Sequence, residues 1–139
     1  MGRRLVISLD TNIVQSALQT TDVNHVRSRQ ALEKYDSQAF CICPIVRAEL
    51  HASKGWIKIE KWLVTQEVTV IWGMPNIVWD AAGIAFGKYA ELRRGGQTSR
   101  RIVADFLIAA HAEHHELEML TFDDTVFKSV FPQVTLLSC

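Results

Sequence analysis

The sequence predicts an α/β domain in which a mostly parallel sheet of about five strands is flanked by helices. Short apolar runs alternate with helical patterns along the 139 residues, and this alternation is typical of parallel strands joined by helical crossovers. Some runs are apolar on both faces, as expected of strands covered by helices on both sides. A chain of this length buries one core, so we expect a single domain over residues 1–139.

Each predicted strand is a short apolar run, and helical patterns separate these runs. The strands are predicted at 4–9, 39–43, 68–72, 117–121 and 134–137. The helices are predicted at 13–18, 25–35, 45–52, 56–64, 75–94 and 102–112, with a short helical turn through 127. Pro44 stands at a position suited to the first turn of a helix. The helix at 102–112 is almost entirely apolar, so we expect it to be buried on most sides.

Composition and charge narrow the possible functions. Hydrophobic residues make up 48% and charged residues 22% of the chain, which excludes a largely disordered protein. No apolar run approaches the roughly 18 residues of a membrane span, so we expect no membrane association and a cytoplasmic location. The three cysteines are expected to be free thiols. The 15 basic residues balance the 15 acidic ones, so any binding of nucleic acid must be local.

Four carboxylates map to one edge of the predicted sheet. Asp10 follows the first strand, Glu49 lies in the first turns of the helix after the second strand, Asp105 opens the apolar helix, and Asp123 follows the fourth strand. Ligands bind at the carboxyl edge of open α/β sheets. Each pair of carboxylates at roughly 5 Å repels by about 3 kcal/mol, so the group requires a cation. Oxygen ligands favour Mg²⁺ or Mn²⁺.

Each acid also has a purely structural interpretation. Asp105 would be stabilised inside an apolar helix by an ion pair with a nearby arginine. Asp10 or Thr11 would serve as the cap of the following helix, and Glu49 would be an ordinary exposed glutamate. Convergence of all four acids at one edge favours a functional site over four separate coincidences.

The segment 93–101 is the most basic part of the chain. It holds four arginines and no acid, and it leads directly into the helix of Asp105. Phosphate contacts beside the acidic site are one interpretation of Arg93, Arg94, Arg100 and Arg101. A solvated turn is the other.

Two histidines, His111 and His115, are one helical turn apart and raise the alternative of a zinc site. The glutamate of the HExxH arrangement is missing after the first histidine, and the pair lies at the far end of the helix from Asp105. We therefore expect these side chains to be part of the helix C-terminus, where their charged form suits the dipole.

The chain resembles the PIN-domain ribonucleases, and closely the VapC-type toxins of bacterial and archaeal toxin–antitoxin pairs. The matching residues are LDTNI with Asp10, AEL with Glu49, ADFLIAAHA with Asp105, and LTFDD with Asp123, which is followed by Phe131-Pro132. DTN alone is a weak motif, but the four motifs in this order and spacing span nearly the whole chain.

The resemblance implies a metal-dependent endoribonuclease with Mg²⁺ or Mn²⁺ as cofactor. It implies metal ligation by Asp10, Asp105 and Asp123, and a role for Glu49 in positioning or deprotonating the attacking water. By the same resemblance, Thr121 and Asn12 orient the acidic residues. The doubled Asp123-Asp124 leaves open which acid faces the metal, and the spacing to Phe131-Pro132 favours Asp123.

The resemblance also implies partners. VapC-like proteins typically form homodimers and bind an antitoxin protein that covers the active site, often with an arginine. Their substrates are specific structured RNAs, transfer RNA and ribosomal RNA among them. Two other classes fit the motifs less well. A non-catalytic PIN-like module that binds RNA or protein would be expected to lack one or more of the acids, and a structure-selective DNA nuclease would carry an added DNA-binding domain.

Overall fold

Five parallel strands form the sheet of the computed structural model, which describes residues 6–94, 102–122 and 125–139. The strands are Val6–Leu9 (β1), Ala39–Ile42 (β2), Thr69–Val70 (β3), Glu118–Thr121 (β4) and Leu136–Ser138 (β5). Their order is β3-β2-β1-β4-β5, and every neighbouring pair is parallel. The predicted α/β class with a parallel sheet of about five strands is confirmed.

Helices connect the strands. Those within the described ranges are Thr11–Leu18 (α1), His25–Lys34 (α2), Pro44–His51 (α3), Trp56–Thr65 (α4), Asn76–Arg94 (α5), Val103–His114 (α6) and Thr125–Val130 (α7). None of the helices in this part of the chain is long and apolar enough to cross a membrane. Their positions agree with the sequence prediction to within about two residues at most boundaries, which is the usual uncertainty of helix ends.

The strand order places a topological switch point between β1 and β4. From β1 the chain moves outward to β2 and β3, and then it returns to place β4 on the other side of β1. Crossovers that leave a sheet in opposite directions open a crevice at the carboxyl ends of the two strands, where ligands bind in this class of fold. In this chain Asp10 follows β1 and Thr121 ends β4.

Helix α6 is buried as its apolar sequence predicts. Every residue from Phe106 to Ala112 is buried. The ring of Phe106 lies 5.3 Å from that of Phe86 and 5.2 Å from that of Tyr89, measured between centroids. Phe127 and Phe131 approach the same ring at 6.1 and 6.5 Å. This aromatic cluster fixes α6 against α5 and α7, so the first turn of α6 is held in place at the sheet edge.

The strand predicted at 68–72 is shorter in the structure, because β3 spans only Thr69–Val70. This strand is at the sheet edge and pairs only with β2 among the described residues. Beyond it, two histidines at the C-terminal end of α6 contact the backbone. His111 Nε2 donates to the carbonyl of Ile71 at 2.7 Å, and His115 Nε2 lies 2.8 Å from the carbonyl oxygen of Gly73.

The prediction that both histidines are charged at the helix C-terminus is wrong for His111. Its side chain is fully buried, and burial lowers the pKa of His111 below the ordinary value of 6.5, with a further lowering from His115 and His114. Its Nδ1 is buried with no hydrogen-bond partner among the described residues. The neutral ring therefore donates from Nε2 and serves as a structural link between α6 and the β3–α5 connection.

Gly73 permits the contact between the backbone and His115. A Cβ atom at this position would lie 3.1 Å from Cε1 of His115, closer than side-chain contacts normally allow. The absence of a side chain at Gly73 thus lets the backbone lie against the ring of His115.

The cysteines agree with the prediction of free thiols. Cys41, Cys43 and Cys139 are all free. Burial raises the pKa of Cys41 to about 12 and that of Cys43 to about 11. Both groups therefore remain protonated and behave as core side chains.

The neutral state of buried His111 predicts a specific loss of stability in acid. Since its pKa is lower in the folded than in the unfolded chain, the unfolded state binds more protons once the pH falls below 6.5. The contribution of His111 to stability is therefore complete above pH 6.5 and declines as the pH falls. Replacing it in His111→Gln should flatten this part of the pH dependence, measured by urea unfolding between pH 5 and 8.

The matched control is His114→Gln on the exposed side of the same helix. It should retain most of the acid loss of the parent chain, because burial is the largest cause of the lowered pKa of His111 and the charge of His114 is the last. Equal flattening in both variants would contradict the assignment to His111.

Candidate functional site

An open cleft of about 520 Å³ lies at the carboxyl edge of the sheet. It brings together three of the four predicted acids, which come from three different elements of the chain. The residues that line it are Asp10, Thr11, Asn12, Gln15, Glu49, Ala52, Ile102 and Asp105.

Asp10 is the most buried acid of the cleft, with 8% of its surface exposed. It caps α1, and its Oδ1 accepts a hydrogen bond of 2.8 Å from the backbone N–H of Thr11. Its Oδ2 accepts one of 3.3 Å from the hydroxyl of Thr121, at the end of β4. Helix capping is thus one role of Asp10. A capping aspartate is normally exposed to solvent, however, so capping does not account for the burial.

Burial and like charge disturb the ionisation of Asp10. The pKa of Asp10 is raised from 3.8 to about 6, first by burial and then by the negative charge of Asp105. The hydrogen bonds from Thr11 and Thr121 lower it in part, and Glu49 raises it slightly. The hydrogen bonds that favour the charged form therefore do not offset the combined effect of burial and of the neighbouring negative charge.

Asp105 lies closer to solvent than its apolar surroundings in the sequence suggest. It is partly exposed, in the first turn of α6, and its Oδ2 accepts a hydrogen bond of 3.1 Å from the backbone N–H of Ile102. The expectation of a carboxylate enclosed in an apolar helix is wrong in this respect, because burial begins one residue later at Phe106. The described residues show no ion pair between Asp105 and Arg93 or Arg94. Asp105 lines the cleft.

Glu49 reaches the cleft from α3 and is partly buried. Its Oε1 accepts a hydrogen bond of 2.7 Å from the hydroxyl of Thr11. This bond joins α3 to the first residue of α1, which also donates its backbone N–H to Asp10. The interpretation of Glu49 as an ordinary exposed glutamate does not fit these contacts.

The other predicted residues differ in position. Thr121 is buried and contacts Asp10 directly, while Asn12 is exposed and lines the cleft without a hydrogen bond to a described carboxylate. Arg93 and Arg94 are exposed in the last turn of α5. Three predicted site residues lie outside the described residues, namely Asp123, Arg100 and Arg101, and so does Asp124, the alternative to Asp123.

Sequence reasoning missed two residues of the site. The sequence indicates Thr11 only as a possible helix cap, yet in the structure its hydroxyl donates a hydrogen bond to Glu49. Gln15, one turn further along α1, lines the cleft and donates from Nε2 to the hydroxyl of Ser53 at 3.0 Å. The spacing of four places Thr11 and Gln15 on one helix face. That spacing indicates that the two side chains lie together, but it does not identify the helix that this face contacts.

The donor atoms of the cleft suit a hard divalent cation. All three acids present carboxylate oxygens, the ligands that Mg²⁺ and Mn²⁺ prefer, and the raised pKa of Asp10 reflects its burial first and then the negative charge of Asp105. Within the described ranges, no group of three or more histidine, cysteine, aspartate or glutamate side chains is placed so that it could hold a metal ion. The predicted third ligand, Asp123, lies outside those ranges.

The histidine pair is not a metal site. The Nε2 atoms of His111 and His115 are both engaged with backbone carbonyl oxygens, at 2.7 and 2.8 Å. Their rings are 4.6 Å apart between centroids at the end of α6, where His111 is buried and His115 is partly exposed. The zinc alternative is therefore not supported.

Comparison with known proteins identifies one family. The PIN domain family model matches residues 7–130, which include all three acids of the cleft. No curated protein sequence matches the chain at a significant level.

Solved structures share the fold at low sequence identity. VapBC2 from Rickettsia felis, bound to a DNA fragment from its promoter, is 19% identical with a TM-score of 0.62, covering 96% of this chain and 98% of that one. A toxin–antitoxin complex from Klebsiella pneumoniae is 20% identical with a TM-score of 0.63, covering 93% and 95%. VapBC-1 from nontypeable Haemophilus influenzae is 19% identical with a TM-score of 0.61, covering 96% and 98%.

The charge on Asp10 should destabilise the metal-free protein. Because its pKa of about 6 exceeds the ordinary 3.8, the folded state holds a proton that the unfolded state releases between these values. Stability therefore falls as the pH rises through this window. Asp10→Asn removes the penalty and should stabilise the metal-free protein by up to about 3 kcal/mol at pH 7. Urea unfolding in the presence of a chelator measures the difference.

The gain should shrink toward zero as the pH approaches 4, where Asp10 is protonated in the parent chain as well. A variant that is less stable than the parent at pH 7, or a gain that does not depend on pH, would contradict the charge assignment.

Proposed function

The chain belongs to the PIN domain family, and on that premise we propose that it is a metal-dependent endoribonuclease and the toxin of a toxin–antitoxin pair. The observation that carries the proposal is the buried carboxylate of Asp10, which shares one open cleft with Asp105 and Glu49. An unbalanced group of acids at the switch point of a parallel sheet costs stability. A cation that binds there for the reaction would balance the negative charge, and its use in the reaction would explain why the acids lie together despite the cost in stability.

Asp10 and Asp105 are the residues proposed to hold the ion, with Asp123 as a further ligand. Asp10 is fixed on both oxygens by the hydrogen bonds from Thr11 and Thr121, so its carboxylate is oriented before any ion binds. When bound, Mg²⁺ or Mn²⁺ would polarise the phosphodiester and promote ionisation of a water molecule. Asn12, exposed at the rim of the same cleft, is proposed to contribute through its side-chain amide.

Glu49 is proposed to position the attacking water and to accept its proton. Its Oε1 is engaged with Thr11, while its Oε2 accepts no hydrogen bond from a described residue. A carboxylate held through one oxygen retains the second as a proton acceptor, within reach of a molecule in the cleft. The acid thus serves as a base without being a ligand of the ion.

RNA binding is proposed to depend on the four arginines of segment 93–101. Arg93 and Arg94 are exposed in the last turn of α5, and Arg100 and Arg101 precede the helix that carries Asp105. Guanidinium groups bind phosphate oxygens in a bidentate manner. Since the net charge of the chain is zero, these four residues are proposed to supply most of the attraction to the RNA backbone.

The toxin assignment is supported by the character of the similar structures. The Klebsiella pneumoniae structure is a toxin–antitoxin complex, and the Rickettsia felis structure is VapBC2 bound to a DNA fragment from its promoter. The proposed partner of this chain is accordingly an antitoxin protein. An arginine from such a partner would pair with the carboxylates of the cleft in place of the metal.

Exposed apolar side chains support protein partners, including a second copy of the chain. Helix α5 exposes Ile77, Trp79 and Ile84 to solvent. A groove of about 550 Å³ along α4 is bordered by exposed Ile57 and Val64. Exposed apolar surface of this kind is typical of interaction sites. These are the surfaces proposed for the antitoxin and for a homodimer.

The purified protein should cleave RNA with Mg²⁺ or Mn²⁺ and lose this activity in a chelator. Asp10→Asn and Asp105→Asn should each reduce the cleavage rate by about a hundredfold or more, because each removes a charge that holds the ion. Gel analysis of a labelled structured RNA, with sequencing of the cut ends from total cellular RNA, provides the measurement.

The matched control is Asp80→Asn, which removes one exposed carboxylate from α5 outside the cleft. It should cleave at the parental rate. Cleavage of DNA in preference to RNA would redirect the proposal to a DNA nuclease. Binding of RNA without cleavage under any divalent ion would support a non-catalytic module instead.

Expression of the chain alone should slow the growth of a bacterial host, because uncontrolled cleavage of cellular RNA depletes it. Asp10→Asn should be harmless at equal protein level, and Asp80→Asn should be as harmful as the parent. Growth curves with quantified expression test this. Normal growth with the parent protein, despite nuclease activity in vitro, would contradict the toxin assignment but not the nuclease assignment.

A further inference from the structure

Thr11 connects two of the acids in the cleft. It is the first residue of α1 and only 7% exposed. Its backbone N–H donates to Oδ1 of Asp10 at 2.8 Å, and its hydroxyl donates to Oε1 of Glu49 at 2.7 Å. The cap of α1 is Asp10 itself. The hydroxyl of Thr11 is therefore not used to cap the helix, and its bonded partner is a carboxylate 38 residues away.

The geometry of this bond is that of a strong, oriented contact. A hydroxyl bonded to an ionised carboxylate has a typical separation of 2.5–2.7 Å, and the observed 2.7 Å lies in this range. Glutamate has three rotatable bonds, so an unrestrained Glu49 would populate several orientations in the open cleft. The β-branched threonine has few χ1 rotamers of its own. Because Thr11 is fixed at the N-terminus of α1, its hydroxyl restricts the carboxylate of Glu49 in α3 to one orientation.

A second polar bridge between the same helices provides an internal comparison. Gln15, one turn along α1, donates to the hydroxyl of Ser53, and Ser53 donates to the backbone carbonyl of Glu49 at 3.3 Å. This bridge also connects α1 to the end of α3, but it does not touch a carboxylate. If Thr11 only tied the two helices together, the two bridges would be equivalent.

We infer that Thr11 is a positioning residue for Glu49, holding one carboxylate oxygen so that the other is presented to the cleft beside Asp10. The expected effect of Thr11 on the cleavage rate rests on the proposed nuclease function. Thr11 acts through Glu49 and is not itself a group that touches the reacting atoms.

The central variant is Thr11→Val, which keeps the shape of the side chain and removes the hydroxyl. Its single-turnover cleavage rate should fall about ten- to hundredfold, since a misplaced base costs this order of rate, while the apparent affinity for RNA stays near the parental value. Thr11→Ser restores the donor and should recover most of the rate. Thr11→Val combined with Glu49→Gln should be no slower than Glu49→Gln alone, because both changes remove the same function.

Ser53→Ala is the matched control, because it removes one hydroxyl from the neighbouring bridge. It should cleave at the parental rate. If Ser53→Ala and Thr11→Val slow cleavage equally, or if Thr11→Val cleaves as fast as the parent, the positioning role is overturned. Urea unfolding midpoints for all variants separate a loss of function from a loss of fold.

A readout without metal or substrate separates this inference from the proposed function. The carboxyl ¹³C resonance of Glu49, assigned by its disappearance in Glu49→Gln, should shift in Thr11→Val and return close to its parental position in Thr11→Ser. An unshifted resonance in Thr11→Val overturns the inference. If the parent protein cleaves no RNA while the resonance behaves as expected, the nuclease proposal fails and the contact between Thr11 and Glu49 stands.

Discussion

The buried carboxylate of Asp10 is the constraint on which the site depends. Strand β1 lies in the middle of a five-stranded parallel sheet, so the residue that follows it stands at the switch point and is shielded from solvent. Both of its oxygens accept hydrogen bonds, yet its pKa remains raised to about 6, because burial and the charge of Asp105 outweigh those bonds. A cation that binds here would relieve both effects together.

The helices of the fold reduce part of this cost. A helix that follows a parallel strand begins at the carboxyl edge, as α1 and α3 do, and α6 begins there because it precedes β4. Each helix directs the positive end of its dipole toward the cleft, which stabilises acids in the first turn. Asp10 caps α1, and Asp105 accepts the N–H of Ile102 at the start of α6. The backbone thus favours acids at this edge even before an ion is present.

The sequence predicts most of the fold because the relevant patterns are local. The near-continuous apolar character of α6 indicates a buried helix, and the apolar run of β1 followed by Asp10 indicates a central strand with an acid at its carboxyl end. The edge strand β3 was predicted too long. Beyond Val70, the N–H of Ile71 still donates to the carbonyl of Ile42 in β2, but the carbonyl oxygen of Ile71 contacts the ring of His111 in α6. No local pattern in the sequence reports that contact.

The details of the site depend on contacts between distant residues, which the sequence does not specify. The bond between Thr11 and Glu49 spans 38 residues, and its pattern in the sequence is indistinguishable from that of a helix cap. The neutral state of His111 follows from the complete burial of its ring, whereas its position near a helix C-terminus favours the charged form. In both cases packing between elements overrides the local preference.

The most direct test of this account is the binding of Mn²⁺ to the chelator-treated protein in the absence of RNA, followed by electron paramagnetic resonance of the free ion. The parent chain should bind Mn²⁺ at pH 7.5. Its binding should weaken as the pH falls through about 6, because Asp10 takes up a proton there. Asp10→Asn and Asp105→Asn should bind little Mn²⁺ at any pH. Parental binding by both variants, or no binding by the parent, would contradict the claim that these carboxylates form a cation site.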